Sequence, residues 1–257
     1  MRLVVFASGS SGNCALVRGG HTNLLIDAGI SLRRIRAALR GEELSMEDIG
    51  GVLITHEHSD HICALRMMAK YCDVPVYAPG TVAWHLDGQI PELGERLHRI
   101  GEDESFSIGE LTITAFPTPH DTDQSVGYCV AEGQERLGFC TDTGHISEQM
   151  IEHLSGCDAA LIEANHDLEM LRSGPYPFPL KRRILSERGH LSNDDSALLA
   201  CTLARSGTRN MVLGHLSREN NTPERARAAV RRALDENGFA DVGLFIAPVS
   251  GALCVEI

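Results

Sequence analysis

Short apolar stretches separated by glycine, asparagine and other polar turns recur along the whole chain of 257 residues. Their length of three to seven residues and their content of β-branched side chains are typical of β-strands. The predicted strands cover residues 3–6, 14–17, 23–26, 52–55, 76–78, 111–116, 125–131, 136–140, 159–163, 210–213, 243–247 and 252–256.

Helical patterns fall between some of these strands, at residues 31–40, 147–154, 193–204 and 222–236. The last has the clearest ends, because Thr222 is a good N-cap, Pro223 suits the first turn and Gly238 suits the termination. The second half of the chain repeats the strand and helix order of the first, without a linker or a low-complexity run. We therefore predict one α+β domain over residues 1–257, with two β-rich halves and helices on the outside.

The composition supports a chain with a substantial core, since 43% of its residues are hydrophobic. Its eight cysteines form no CxxC pair, which predicts buried, reduced thiols. The apolar run at the N-terminus is too short for a signal peptide, and no stretch is long and apolar enough to span a membrane. We expect a cytoplasmic protein without a membrane partner.

The formal net charge of -12 argues against sequence-independent coating of nucleic acid, which depends on neutralising phosphates. It does not argue against an enzyme that binds phosphates locally. Carboxylates that hold metal ions are part of this total, and the bound ions would reverse the local field.

The most unusual segment is HEHSDH at residues 56–61. It is not the HExxH zinc motif, because Asp60 stands where that motif needs its second histidine. The segment follows a predicted strand and precedes apolar residues at helical spacing, so it lies on a strand-to-helix turn. His56 and His58 are two apart on extended backbone and point to one side, whereas Asp60 and His61 leave the turn in another direction. This geometry suits two adjacent metal ions better than one.

Four more candidate ligands, Asp27, His120, Asp142 and His215, each follow an apolar run. A single histidine or aspartate in such a place is usually structural. Together with HEHSDH, however, they form an ordered series that resembles the metallo-β-lactamase superfamily. The resemblance implies a four-layer αββα sandwich.

Further blocks resemble the YycJ (WalJ) branch of that superfamily, whose members are regarded as nuclease-like. These blocks are ASGSSGN at 7–13, LLIDAG at 24–29, THEHSDHI at 55–62, EANHD at 163–167, GPYPFPLKRRI at 174–184, GHLSN at 189–193 and GHLSRENNTPE at 214–224. One departure is Ala64, where the branch usually has glycine. That position begins the helix behind the site and leaves the ligand series intact.

The resemblance carries seven metal ligands over by position: His56, His58 and His120 for one ion, Asp60, His61 and His215 for a second, and Asp142 as the bridge. Asp27 is expected to orient a ligand histidine. The mixed imidazole and carboxylate set suits two zinc or two manganese ions. A hydroxide shared by the ions would then attack the substrate.

A phosphodiester is the favoured substrate, because loops rich in serine, glycine and asparagine surround the metal motifs. A lactam, ester or thioester hydrolase would use the same metals, but a glyoxalase-like enzyme would add a C-terminal helical domain. A flavodiiron enzyme would replace His58 by an acidic residue. The predicted substrate contacts are Ser10, Asn13, Ser192, Asn193, Lys181, Arg182 and Arg183.

Among nucleases, a DNA exonuclease running from a 5′ end is favoured by the resemblance, and an RNA-processing nuclease stays open. The segment between Asp142 and His215 is too short for a full β-CASP domain. An aromatic content of 5% gives little support for stacking platforms that bind single strands. A degenerate scaffold protein is disfavoured, since the whole ligand set is present. The oligomeric state is left open.

Asp60 and His190 are the predicted catalytic residues. His190 is outside the ligand set, and an imidazole has a pKa suited to protonating a leaving group near neutral pH. It would otherwise hold a terminal phosphate together with Ser192 and Asn193, or simply stabilise its loop. His166 in EANHD has a structural and a functional interpretation of equal weight.

Overall fold

The computed structural model describes residues 1–101 and 103–257, and its strands form two mixed seven-stranded sheets. The first sheet runs, from edge to edge, through β14 (Leu253–Glu256), β1 (Arg2–Ala7), β2 (Cys14–Arg18), β3 (Asn23–Ile26), β4 (Ile49–Leu53), β5 (Val76–Pro79) and β6 (Leu97–Ile100). The second runs through β13 (Gly243–Ile246), β12 (Asn210–Gly214), β11 (Ala159–Glu163), β10 (Glu135–Cys140), β9 (Val126–Glu132), β8 (Leu111–Pro117) and β7 (Ser105–Ile108).

Each sheet contains a block of four parallel strands, β3 to β6 in the first and β10 to β13 in the second. The central registers pair Leu25 with Val52 and Leu161 with Val212. In parallel sheets, functional groups gather beyond the carboxyl ends of the strands. The loops that leave β3, β4, β10 and β12 carry Asp27, the HEHSDH segment, Asp142 and His215.

The helices of the described residues are α1 (Leu32–Gly41), α2 (Ser59–Ile62), α3 (Leu65–Tyr71), α4 (Gly80–Gln89), α5 (Glu148–Leu154), α6 (Leu168–Ser173), α7 (Phe178–Ile184), α8 (Asn193–Arg205) and α9 (Pro223–Glu236). The four helices predicted from the sequence correspond to α1, α5, α8 and α9. Side-chain caps fix their first turns, since the hydroxyls of Ser31, Ser147, Ser192 and Thr222 each accept a backbone N–H three residues on.

Three apolar clusters separate four layers. Side chains from both sheets, such as Leu3, Val130 and Leu161, fill the space between the sheets. Ile35 and Leu86 pack helices against the outer face of the first sheet, and Leu199 and Val230 do so on the second. Each such fully buried side chain contributes about 1.5–3 kcal/mol to folding. This αββα sandwich confirms the predicted fold class.

Some elements were not predicted. Strands β6 and β7 lie at sheet edges, where polar residues such as His98 and Ser107 interrupt the apolar pattern. The cysteines are all free, as expected, but Cys63 and Cys254 are exposed, so the prediction that they are buried was wrong. Cys63 follows α2 and Cys254 lies in the edge strand β14, where one face meets solvent. None of the helices in the described ranges is both long and apolar enough to cross a bilayer.

Candidate metal centre

The seven predicted ligands converge at one end of the sandwich. Their nitrogen and oxygen atoms form overlapping groups within 4.8 Å of one another, namely His56, His58 and His120; His56, His61 and Asp142; and Asp60, His61 and His215. The overlap at His56, His61 and Asp142 joins the groups into a single cluster. The ends of β4, β8, β10 and β12 carry these residues, so the two sheets together build the site.

The first group consists of three imidazoles. His56 Nε2 lies 3.0 Å from His58 Nδ1, and His120 Nε2 lies 3.9 Å from Asp142 Oδ1. His120 Nδ1 lies 3.2 Å from the Gly189 carbonyl oxygen, to which it donates, so Nε2 faces the site, 3.2 Å from Asp121 Oδ1. Burial and the neighbouring histidines hold the pKa of His56 well below its ordinary value. His56 is therefore neutral, the form in which histidine binds a metal.

The second group mixes imidazoles with carboxylates. His61 Nε2 lies 3.7 Å from Asp60 Oδ2 and 3.4 Å from Asp142 Oδ2, and His215 Nε2 lies 3.9 Å from Asp60 Oδ2. Asp142 Oδ2 and His215 Nε2 are buried without a hydrogen-bond partner among the described residues. Because buried polar atoms are normally paired, these two are placed to ligate a cation. The donor set of the whole cluster fits divalent metal ions.

The backbone at three of these positions is unusual. Asp27, Asp142 and His215 have φ angles of 61°, 57° and 55°, in the left-handed region that side chains other than glycine rarely adopt. Each follows a parallel strand, where the chain turns away from the sheet. Such conformations cost on the order of 1–3 kcal/mol each and cluster at functional sites. Here they aim two ligands and a supporting carboxylate at the cluster.

Asp27 supports the ligands from behind. Its Oδ2 lies 2.7 Å from His61 Nδ1, and its Oδ1 accepts the Thr55 backbone N–H at 2.9 Å. Burial alone would lower the pKa of His61, but the charges of Asp27 and Asp142 and the hydrogen bond with Asp27 raise it to about 9. With Nδ1–H donated to Asp27, His61 presents Nε2 to the cluster. Asp27 thus contacts one of the predicted ligand histidines directly.

Glu163, at the end of β11, is a site residue that the sequence analysis missed. It is fully buried, and its Oε1 accepts from His190 Nδ1 and from His215 Nδ1, both at 2.8 Å. Its Oε2 accepts the backbone N–H groups of Thr143 and Leu191 at 3.1 Å. Burial opposes ionisation, but the charges of His190 and His215 and their hydrogen bonds hold the pKa of Glu163 well below its ordinary value. The sequence did contain a signal for Glu163, because this residue stands at the end of a predicted strand, as the predicted ligands do. Glu163 was assigned only to that strand and not to the site.

A cavity of about 240 Å³ opens above the cluster. Besides five of the ligands, its wall contains Ser10, Asn165, Tyr176, Leu180, Arg183, Ile184, His190 and Ser217. A wider groove of about 400 Å³ between α1 and α3 is lined by arginines, Leu32, Met67 and Tyr71 and contains no candidate ligand. The chemistry therefore belongs to the smaller cavity.

Three of the predicted substrate or catalytic residues outside the ligand set, Ser10, Arg183 and His190, line this cavity. Arg183 Nε also donates to Asp121, which follows His120. His190 is partly exposed, with 18% of its side chain accessible.

The other predicted contacts do not line it. Asn13 Oδ1 accepts the Gly9 N–H at 2.8 Å, and its Nδ2 lies 3.0 Å from His61 Nε2, so Asn13 contacts a predicted ligand imidazole and does not line the cavity. Ser192 caps α8, and Asn193 exchanges hydrogen bonds with Asn221.

The predicted basic contacts, Lys181, Arg182 and Arg183, also differ in whether they reach the cavity. Lys181 Nζ donates to the carbonyl oxygens of Arg172 and Gly174, both at 2.8 Å. Arg182 is exposed on another face of α7. Only Arg183 of this cluster reaches the cavity.

Comparisons with known proteins identify the family of the chain. The family described as the β-lactamase superfamily domain matches residues 22–216. The chain is 40% identical to exodeoxyribonuclease YycJ of Bacillus anthracis, over 91% of this chain and 89% of the relative. It is 36% identical to exodeoxyribonuclease WalJ of Streptococcus pneumoniae, over 93% of this chain and 89% of the relative.

Solved structures show the same fold at low sequence identity. The metallo-β-lactamase fold protein YhfI of Bacillus subtilis superposes with a TM-score of 0.71 at 16% identity, covering 98% of this chain and 99% of that one. Zinc-bound PqqB of Methylobacterium extorquens gives a TM-score of 0.72 at 16% identity, with both chains covered in full. The chain belongs to the metallo-β-lactamase superfamily, in the branch of YycJ and WalJ.

Proposed function

We propose that this protein is a metal-dependent phosphodiesterase that holds two divalent ions, zinc or manganese, and removes nucleotides from DNA in the 5′ to 3′ direction. The observation that carries the proposal is the single cluster of seven ligands with the Glu163–His190 pair beside it. The names of the two relatives, both exodeoxyribonucleases, support DNA as the substrate.

In this proposal each ion has its own ligands. His56, His58 and His120 would hold one, Asp60, His61 and His215 would hold the other, and Asp142 contacts a histidine of each group. When bound, the ions would activate a water molecule and offset negative charge that develops on the phosphate oxygens.

The remaining residues of the site position the substrate and move a proton. Glu163 accepts the Nδ1–H of His190, which leaves His190 Nε2 for the cavity. From there Nε2 donates a proton to the departing oxygen. The Arg183 guanidinium and the hydroxyls of Ser10 and Ser217, which also line the cavity, contact the phosphates.

The test compares two substrates with His190→Ala. Turnover of labelled duplex DNA falls by roughly 10²-fold or more, the usual scale for a lost general acid. A nitrophenyl phosphodiester loses far less, because its leaving group needs no proton. His145→Ala is the matched control, since His145 is an exposed histidine outside the cavity.

Equal loss on both substrates with unchanged metal content would refute the acid role of His190. A wild-type protein that is loaded with metal and cleaves neither DNA nor the small diester would refute the function itself. RNA and a lactam in the same panel show whether another substrate class is preferred.

A further inference from the structure

One wall of the site cavity is apolar, although the rest is built of ligands and polar groups. Tyr176 lies in the loop before α7 and lines the cavity together with Leu180 and Ile184. Leu180 and Ile184 are four residues apart and share a face of α7. Phe178, which is 75% exposed, is two residues from Leu180 and so points to another side of the helix. Tyr176 is therefore the aromatic ring, apart from the histidines, that this wall presents to the cavity.

The backbone that carries Tyr176 is held firmly. Prolines at 175 and 177 flank it, which restricts the φ of each proline and the conformation of Gly174 and Tyr176. Gly174 donates to the Met170 carbonyl at 2.7 Å, and its own carbonyl accepts from Lys181 Nζ at 2.8 Å. A Cβ at Gly174 would lie 2.6 Å from Asn220 Oδ1, so the loop also packs closely against the segment after β12. A ring on such a loop loses little freedom when a ligand packs on it.

We propose that Tyr176 stacks against the base of the terminal nucleotide whose phosphodiester lies at the metal ligands. The proposal rests on the proposed function. An aromatic face bordered by two aliphatic side chains suits any of the bases, because each base has a planar π-face. Arg183 on the same wall provides the positive charge that the adjoining phosphate requires.

The size of the cavity restricts the substrate further. About 240 Å³ lies just below the usual range for ligand sites of about 300–1,000 Å³. A cavity of that scale suits a single nucleotide.

The first experiment measures binding, independently of cleavage. A single-stranded DNA oligonucleotide carries a fluorescent purine analogue as its 5′-terminal base, joined through a phosphorothioate linkage that resists cleavage, and its fluorescence is recorded with each metal-loaded protein variant. We expect quenching with the wild type and with Tyr176→Phe, and little quenching with Tyr176→Ala. Tyr71→Ala removes an exposed tyrosine from α3, away from the cavity, and should quench like the wild type. Equal quenching by Tyr176→Ala and the wild type, or no quenching by the wild type, overturns the proposal.

The second experiment compares a normal 5′ end with an abasic one. Loss of stacking on one base raises the KM of Tyr176→Ala on the normal end by about 5- to 150-fold. The wild type should lose a similar factor on the abasic end, and Tyr176→Ala should be indifferent to the base. If Tyr176→Ala raises the KM equally on the normal and the abasic 5′ end, the proposal is overturned. Because quenching needs no cleavage, a protein that binds the base but does not cut DNA fails the proposed function alone.

Discussion

Glu163→Gln tests how the site positions two of its histidines. Glutamine keeps the size of the side chain but replaces one acceptor oxygen by an NH₂ donor. In the wild type Oε1 receives two imidazole N–H groups and Oε2 receives two backbone N–H groups, so the new NH₂ must face donors on either side. Two hydrogen bonds are lost whichever way the amide turns.

The magnitude follows from these contacts. Hydrogen bonds to a charged group contribute about 1.5–3 kcal/mol each, so losing two costs at least about 3 kcal/mol. If that loss falls on the orientation of His190 and His215 in the transition state, turnover of DNA drops by roughly 10²-fold or more, at about 1.4 kcal/mol per tenfold. Metal affinity through His215 should fall by about 10- to 100-fold.

The assay is steady-state cleavage of labelled DNA at saturating metal, with metal content measured on the same samples. Glu187→Gln is the matched control, because Glu187 is exposed on the loop before His190. A Glu163→Gln enzyme within about threefold of the wild type at equal metal content would refute the positioning role of Glu163.

Two further variants test other parts of the structure. Gly29→Ala should displace the ligand turn and reduce metal content and melting temperature, because its Cβ would lie 1.6 Å from the Asp60 carbonyl oxygen. Gly41→Ala is the control, since a Cβ at Gly41 meets open space. Equal melting temperatures of the two variants would contradict the close packing at Gly29. His166 is buried, neither ring nitrogen is hydrogen-bonded to a described residue, and burial lowers its pKa to about 4. Since its unfolded pKa is about 6.5, protonation favours the unfolded chain as the pH falls from about 6.5 to 4. Thus His166→Gln should remove on the order of 3 kcal/mol of that acid destabilisation in urea unfolding curves, and an unchanged slope would contradict the low pKa.

The sequence predicted the fold and the ligand series because both depend on local patterns. Apolar runs ending in a polar turn mark buried strands, and the ligands stand immediately after such runs. Serine and threonine caps marked the starts of α1, α5, α8 and α9 for the same reason. The grouping of the seven ligands came from the family resemblance, and their convergence required the two sheets to pack face to face.

What the sequence did not predict depends on tertiary contacts. Lys181, Arg182 and Arg183 are neighbours in sequence, yet one anchors a loop, one faces another direction and one reaches the cavity. Tyr176 was hidden among prolines, and an overall aromatic content of 5% gave no reason to single it out. The left-handed backbone at His215 likewise has no local signature, because that conformation is maintained by contacts such as the hydrogen bond from its N–H to Ser8 Oγ.

Metal stoichiometry, measured together with activity, tests the proposed two-metal site most directly. Purified protein is stripped with a chelator, reloaded with zinc or manganese to saturation, and analysed for metal per chain alongside DNA cleavage. We expect about two ions per chain in the wild type, because seven ligands exceed the four that one zinc usually takes. We also expect cleavage to be lost on chelation. Asp142→Ala should bind both ions more weakly, since Asp142 contacts a histidine of each ligand group. One ion per chain at saturation, or cleavage that survives complete removal of metal, would contradict the two-metal site.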